Sequence, residues 1–427
     1  MRQQGAGGRG QASGVKRQAP NVKRQTSGVS RFTFDVSRLT FHVSRLPFHD
    51  LLLTLAISVL TLALYLRTLA PGLLGGDSGE FQFAAWLGGF AHPTGYPLYL
   101  LGGWLWTHLL PLGDPAWRMN AFSAVWGALA VGLLYLLARQ VVGVVARDYR
   151  PMLAVRLPAL IAAATFAVSP TFWSQAVVAE VYTLNVALAL AFLLALIRWA
   201  ATGRARWLDG AAFLLGLSLA HHRTTILWMP AIALFVWLTV RSERRARPST
   251  AQHTPAAPLT RSVLWGGARL ALLVLLPLLL YAYIPLTAAN TPYLHVQVGP
   301  EQVLGLYTPT LTGFINYVTG RAFESEFRSP VEAFGRLLPS ARFLTVELTW
   351  GGVALGLIGL AWLARRARPL LGLTGLGFLT LLAFNLFYGI GDIAAYYIPL
   401  FALWSLWIAL GAAALTTAIA TLAGRAS

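Results

Sequence analysis

The run LLLTLAISVLTLALYLRTLA, residues 51–70, decides what kind of protein this is. It carries one charge, Arg67, and neither Pro nor Gly. At 1.5 Å per residue its twenty residues make a helix of about 30 Å, the thickness of a bilayer's hydrocarbon core. Lipid offers backbone N–H and C=O groups no partners, so such a run must be a helix. Similar runs recur to the end of the chain. They predict spans over about 51–70, 119–138, 157–174, 181–199, 207–221, 224–240, 263–287, 343–363, 369–388 and 395–418. The expected fold class is therefore all-α, a polytopic membrane helical bundle of about ten spans with interfacial or re-entrant helices. Composition agrees: 56% of the 427 residues are hydrophobic and only 11% charged.

One further segment, YPLYLLGGWLWTHLLPL (96–112), is apolar enough to enter the membrane. A Gly pair and a Pro at each end break it, which favours a re-entrant or interfacial hairpin. Residues 1–49 are different: Val15, Val22, Val29, Val36 and Val43 stand seven apart among basic residues. A coiled coil needs a second apolar position per heptad and helix formers. The first two units lack both, so the stretch is expected to be a disordered basic leader, with residues 50–427 forming the membrane-embedded domain.

The net charge of +18 looks like a nucleic-acid signature until the charges are placed. Basic loops stay in the cytoplasm. The leader and the clusters at 139–156, 198–206, 241–261 and 365–368 share one side if 96–112 does not cross. The outer side then receives seven Arg and ten acids, and the inner side 26 basic residues and five acids. No nucleic-acid partner is needed to explain the charge. The absence of cysteine excludes disulfides, thiolate metal sites and Cys nucleophiles.

The outer side collects the polar residues an apolar chain cannot ignore. In GGDSGEFQFAAWLGGFAHPTGYPLY (75–99), residues 78–90 read as a short interfacial helix with Phe81, Ala84, Trp86, Leu87 and Phe90 toward lipid. Asp77 fits its N-cap, and Glu80 three residues on resembles a capping box. Asp77 is also a carboxylate able to take a proton from an attacking hydroxyl. The corner HPTGYP places His92 and Tyr96 where Pro and Gly stiffen the chain. Glu180 and Tyr182 lie at the outer start of a span, where an acid faces protein or water. His221, His222 and Arg223 form a tight turn, and the Arg fork suits a phosphate or a salt bridge to Glu180 or Asp392. The outer loop 289–342, with Arg321, Glu324 and Glu326, is long enough for a lid or acceptor site. Loops at 71–118 and 289–342 thus carry the candidate site, completed by Asp392 before the last span.

GDSGEF (76–81), HPTGYPLY (92–99), WSQAVVAEVYTLN (173–185), HHRTT (221–225) and GDIAAYYIP (391–399), in this order, resemble the bacterial protein O-mannosyltransferase-like family of GT-C membrane glycosyltransferases. The resemblance covers roughly residues 50–425. It implies an inverting enzyme of the cytoplasmic (inner) membrane with an extracytoplasmic active site. The donor would be a polyprenyl-phosphate-linked sugar, mannose by family, and the acceptor a protein hydroxyl. A carboxylate of the first outer loop is the family's base, which points to Asp77, with Glu80 as second choice. Arg223, with His222 or His92, would hold the donor phosphate. Tyr96, Glu180, Tyr182, His221, Arg321 and Asp392 complete the expected substrate contacts. No cofactor or metal is expected, although Asp77 and Glu80 could hold a divalent cation. The alternative is a lipid-linked sugar flippase or transporter, which would separate Asp77 and Asp392 to opposite faces.

Overall fold

The computed structural model describes residues 47–146, 152–246, 259–291, 295–297, 303–305 and 307–426. The leader expected over 1–49 lies outside them but for its last three residues, two of which already belong to the first helix. That helix, α1 (Phe48–Arg67), takes up the quoted apolar run. Two short helices, α2 (Gly76–Leu87) and α3 (Pro97–Leu109), precede the long α4 (Pro115–Val145). Asp114 caps α4 by accepting from the Trp117 backbone N–H at 2.8 Å, so this helix starts earlier than hydropathy alone suggests. Next come α5 (Met152–Ala167) and α6 (Pro170–Ala176), one apolar run bent by 66°. The residue before a proline avoids helical geometry, and Ser169 accordingly has ψ 131°.

The hairpin of α7 (Tyr182–Thr202) and α8 (Ala205–His221) turns at Gly203. A 3-10 turn, Arg223–Trp228, feeds α9 (Met229–Ala246). Helix α10 (Leu259–Leu275) tightens into 3-10 geometry over Leu276–Ala282, at Pro277, before α11 (Tyr283–Thr287). Two three-residue strands, β1 (His295–Gln297) and β2 (Val303–Gly305), pair antiparallel with His295 opposite Gly305. The rest is α12 (Leu311–Val318), α13 (Pro330–Gly335), α14 (Leu337–Arg366), α15 (Arg368–Phe387), α16 (Ile393–Tyr396) and α17 (Ile398–Ala426). Within α14 the chain breaks helical geometry at Thr349 (φ 62°), whose Oγ1 accepts from the Gly352 N–H at 3.4 Å.

Among the described residues eight helical runs are long and apolar enough to cross a membrane, nine with the bent pair α5–α6. The remaining expected span is α8, whose 17 residues reach only about 26 Å. Helix α3, with 13 residues and about 20 Å, is too short to cross. The chain is a multi-pass membrane protein. Its core is α17, 89% buried over its apolar window, with α4 and α7 beside it, while α1 and α10 are mostly exposed apolar surface. Helices α14 and α17 touch backbone to backbone: a Cβ on Gly359 would collide with the Trp407 carbonyl oxygen. Small residues permit such approach, which substitutes for the hydrophobic drive that lipid cannot supply.

Helix α2 turns Trp86 and Leu87 outward as expected, but not the other residues expected toward lipid. Phe81, Ala84 and Phe90 are buried at 1% exposure each, and Phe83, Trp86 and Leu87 are the exposed face. The helix packs on α3 and α4. Phe81 stands edge-on to Tyr96 and Tyr99, so the aromatic corner takes the face expected to meet lipid.

Candidate active site

One end of the bundle encloses a cavity of about 500 Å³. Its walls come from six places: the start of α2, the corner 92–96, the start of α7, the turn after α8, residues 319–327, and residues 384–396. Asp77, Glu80, His92, Tyr96, Tyr182, His222, Arg223 and Asp392 all line it. Glu180, His221 and Arg321 do not.

Asp77 sits in the first turn of α2 but caps nothing: the N-cap is Gly75 and no side chain closes it. The capping box is likewise not formed, because Glu80 is engaged elsewhere. Its Oε1 accepts from the His92 backbone N–H at 2.8 Å and its Oε2 meets His92 Nδ1 at 2.5 Å. A two-point clamp of this kind fixes both the corner and the imidazole. Gly95 (φ 83°) turns the corner where a Cβ would press on Ile284 and Tyr317. Partial burial raises the Asp77 carboxyl above the usual aspartate range; Asp392 and Glu80 add to this and His92 opposes it. Burial alone would push the His92 imidazole down. The hydrogen bond to Glu80 and the charges of Glu80, Asp77 and Glu180 outweigh it and raise His92.

Glu180 lies behind this wall. Its Oε1 accepts from Ser78 Oγ at 3.0 Å, and its backbone N–H donates to Ser123 Oγ at 3.0 Å. Burial first, then repulsion by Asp77 and Asp392, pushes its carboxyl up to about 8. No ion pair with Arg223 forms among the described residues. On the other side of the cavity Tyr182 Oη donates to Asp392 Oδ2 at 2.7 Å and orients that carboxylate.

His221 is fully buried, its Nε2 at 2.9 Å from the Val181 carbonyl oxygen, which it fits as donor. His222 does reach the cavity wall. Its Nδ1 lies 2.7 Å from Thr224 Oγ1, and its Nε2 is buried without a partner. Burial, then His221, Arg223 and His92, push this imidazole down to about 3, so it is neutral at pH 7. Arg223 is exposed to the cavity with Gly320 against its Nη1. No carboxylate pairs with it among the described residues. Arg321 instead is 63% exposed and stands 3.8 Å from Glu324.

Asp77, Glu80 and His92 offer ligand atoms within 4.8 Å of one another. A divalent cation is the metal that this donor set fits, at the cost of the His92–Glu80 bond. Several wall residues were not singled out from sequence: Thr94, Thr224, Phe323, Phe327 and Phe384. The two threonines stood inside quoted motifs, but the phenylalanines carry no signal that separates a cavity wall from a lipid-facing belt.

Residues 77–247 match the family model for the Protein O-mannosyl-transferase TMEM260 N-terminal domain. The chain is similar to Protein O-mannosyl-transferase TMEM260 of Mus musculus, 33% identical over 221 residues, which is 51% of this chain and 28% of that protein. It is also similar to the Dictyostelium discoideum protein of that name, 30% identical over 117 residues, 27% of this chain and 13% of the other. The aligned stretches thus span less than a third of these relatives' length. Among solved structures, ArnT from Cupriavidus metallidurans bound to undecaprenyl phosphate superposes with a TM-score of 0.55 at 14% identity, over 86% of this chain and 60% of that one. Its apo form superposes with a TM-score of 0.52 at 15% identity, over 85% and 59%. The fold is therefore a membrane helical bundle like that of ArnT.

Proposed function

We propose that the chain is a membrane glycosyltransferase that moves a sugar from a polyprenyl-phosphate donor to a hydroxyl acceptor. The sugar is mannose and the acceptor a protein Ser or Thr, on the extracytoplasmic face of the cell membrane. The observation that carries this reading is the shared cavity of Asp77 and Arg223, a carboxylate and an arginine that no described acid neutralises. A lipid phosphate sets its oxygens against the Arg223 fork, and the neutral His222 edge adds a hydrogen bond. Asp77 accepts the acceptor's proton as its oxygen attacks the anomeric carbon from the face opposite the phosphate. The carbon–oxygen bond to phosphate breaks, polyprenyl phosphate leaves, and the configuration inverts. Arg223 stabilises the charge that grows on the leaving oxygen, commonly a large catalytic term. His92, whose hold on its proton Glu80 strengthens, favours the ionised Asp77. Asp392, oriented by Tyr182, binds sugar hydroxyls, and Ile226, Leu227, Phe323 and Phe327 receive the first isoprene units.

The names of the relatives and the lipid phosphate held by ArnT support this choice over a flippase. So does the placement of Asp77 and Asp392 on one cavity. The test uses purified protein in lipid with polyprenyl-phosphate mannose and Ser/Thr peptides. Wild type releases polyprenyl phosphate, and Asp77→Asn slows release by about 10²–10⁴-fold with the thermal transition unchanged. The acid limb of the rate profile lies above the range of a free aspartate, because the Asp77 carboxyl is raised and works only ionised. Full activity in the variant removes Asp77 from the role; no release from any lipid-linked sugar overturns the function.

A further inference from the structure

At the end of the bundle away from the cavity, two arginines pair with one buried carboxylate, and two more stand beside them. Asp50, wholly buried at the start of α1, faces Arg139 Nε and Arg156 Nε at 2.7 Å each. Arg198 is 5% exposed, and its Nε donates to Gln140 Oε1 at 3.1 Å. Its guanidinium lies 4.9 Å from the centre of the Trp207 ring, on which Arg206 also rests at 5.6 Å. Arg139 and Arg206 are both close enough to repel Arg198. The other acid of this end with a described side chain, Asp209, pairs with Arg269 at 3.0 Å.

Membrane topology explains arginines in solvated loops, but not arginines drawn inside. A buried cation needs a counter-charge and acceptors for its N–H groups. Asp50 Oδ2 and Arg139 Nε lack hydrogen-bond partners but face each other as an ion pair at 2.7 Å. The groups then left over are donors, Arg156 Nη2 and Gln140 Nε2. What the described residues do not supply is an anion with several oxygens, and phosphate matches the guanidinium fork. The surroundings say where it comes from. A groove of about 410 Å³ between α1 and α5 is lined by Leu53, Ile57, Leu60, Leu160 and Ala164, among others. Leu53 lies one turn beyond Asp50, and Leu160 one turn beyond Arg156, so the groove begins one helical turn from the cluster. Beside them Leu51, Leu55, Leu153 and Leu157 are exposed apolar surface.

We infer that Arg139, Arg156 and Arg198 bind the phosphate of an anionic phospholipid whose acyl chain lies in the α1–α5 groove. This lipid is distinct from any donor in the cavity. Arg139 stands nineteen residues, about 28 Å, along α4 from Asn120, which holds the α2 residue Gln82 at 2.8 Å. The lipid supplies negative charge and acceptors that the described residues lack, and it ties α1 to α4, α5 and α7.

The test titrates the full-length protein in detergent with phosphatidylglycerol, phosphatidylethanolamine or inorganic phosphate, and counts bound lipid by native mass spectrometry. One phosphatidylglycerol is expected to bind at least tenfold tighter than phosphatidylethanolamine, with inorganic phosphate displacing little of it. Arg198→Gln, and the double change Asp50→Asn with Arg156→Gln, reduce the preference to within twofold. Leu160→Trp fills the groove without touching a charge and weakens lipid retention by itself, so the question is decided even if the charge variants do not fold. Equal retention of the two lipids by wild type, full competition by inorganic phosphate, or undiminished binding to Leu160→Trp would each overturn the proposal.

Discussion

Replacing Glu180 by Gln should stabilise the protein, and by more as pH rises. In the folded chain its carboxyl is pushed up from 4.5 to about 8, chiefly by burial, with Asp77 and Asp392 adding repulsion against the help of Ser78 and His92. A folded value above the unfolded one means that the stabilising contribution is complete below pH 4.5. It is lost progressively as pH rises through about 8. A tenfold change in proton affinity is worth ~1.4 kcal/mol, so the loss is about 3 kcal/mol at pH 7 and about 5 kcal/mol once the group is fully ionised. Glutamine copies the neutral carboxyl and keeps an oxygen for the Ser78 hydroxyl. Unfolding in mixed micelles with increasing SDS, at pH 5, 7 and 9, measures the gap between variant and wild type. The gap should open from near zero to several kcal/mol. A gap that does not change with pH, or a variant less stable than wild type at pH 9, refutes the reasoning.

Asp50→Asn strands two arginines without their counter-charge and is expected to destabilise by about 3–5 kcal/mol, read by the same SDS titration. Gly359→Ala drives a methyl group into the Trp407 carbonyl and should cost about 1–3 kcal/mol. Gly375→Ala, where a Cβ meets only the end of Leu371 at 3.6 Å, serves as the near-neutral control. Tyr182→Phe removes the hydrogen bond that orients Asp392. In the donor-release assay it should raise the donor KM about tenfold, the worth of roughly 1.4 kcal/mol for a hydrogen bond to a charged group, with a smaller effect on kcat.

The spans were legible because twenty apolar residues have one physical outcome in lipid, as the run at 51–70 illustrates. The bend between α5 and α6 was not. Hydropathy runs on through Val168 and Ser169, and only the stereochemistry of Pro170 marks the corner. The face of α2 was misread in part because a helix with Phe81, Phe83 and Trp86 offers aromatic residues in most directions. The partner that chose among them, the corner at Tyr96 and Tyr99, is known only in three dimensions. Glu80 shows the same limit. A local capping partner and a histidine twelve residues away compete for it, and sequence spacing favours the local one. The charged residues of the cavity were easier to name. An acid or an arginine in so apolar a chain can stay only where water or another polar group meets it, which left few places for Asp77, Arg223 and Asp392 to go.

The cavity has no wall that belongs to one rigid element. Asp77 hangs beyond the end of α1, Tyr182 begins α7, Arg223 precedes α9, and Asp392 follows α15. These helices differ in reach: α8 at about 26 Å is shorter than the lipid hydrocarbon core, and the 31-residue α4 at about 46 Å is far longer. A thicker bilayer stretches the former and uprights the latter, and a thinner one tilts the long helices over. The gap between the Asp77 carboxylate and the Arg223 guanidinium is therefore expected to follow the acyl-chain length of the surrounding lipid, which would make membrane thickness a control on the proposed transfer.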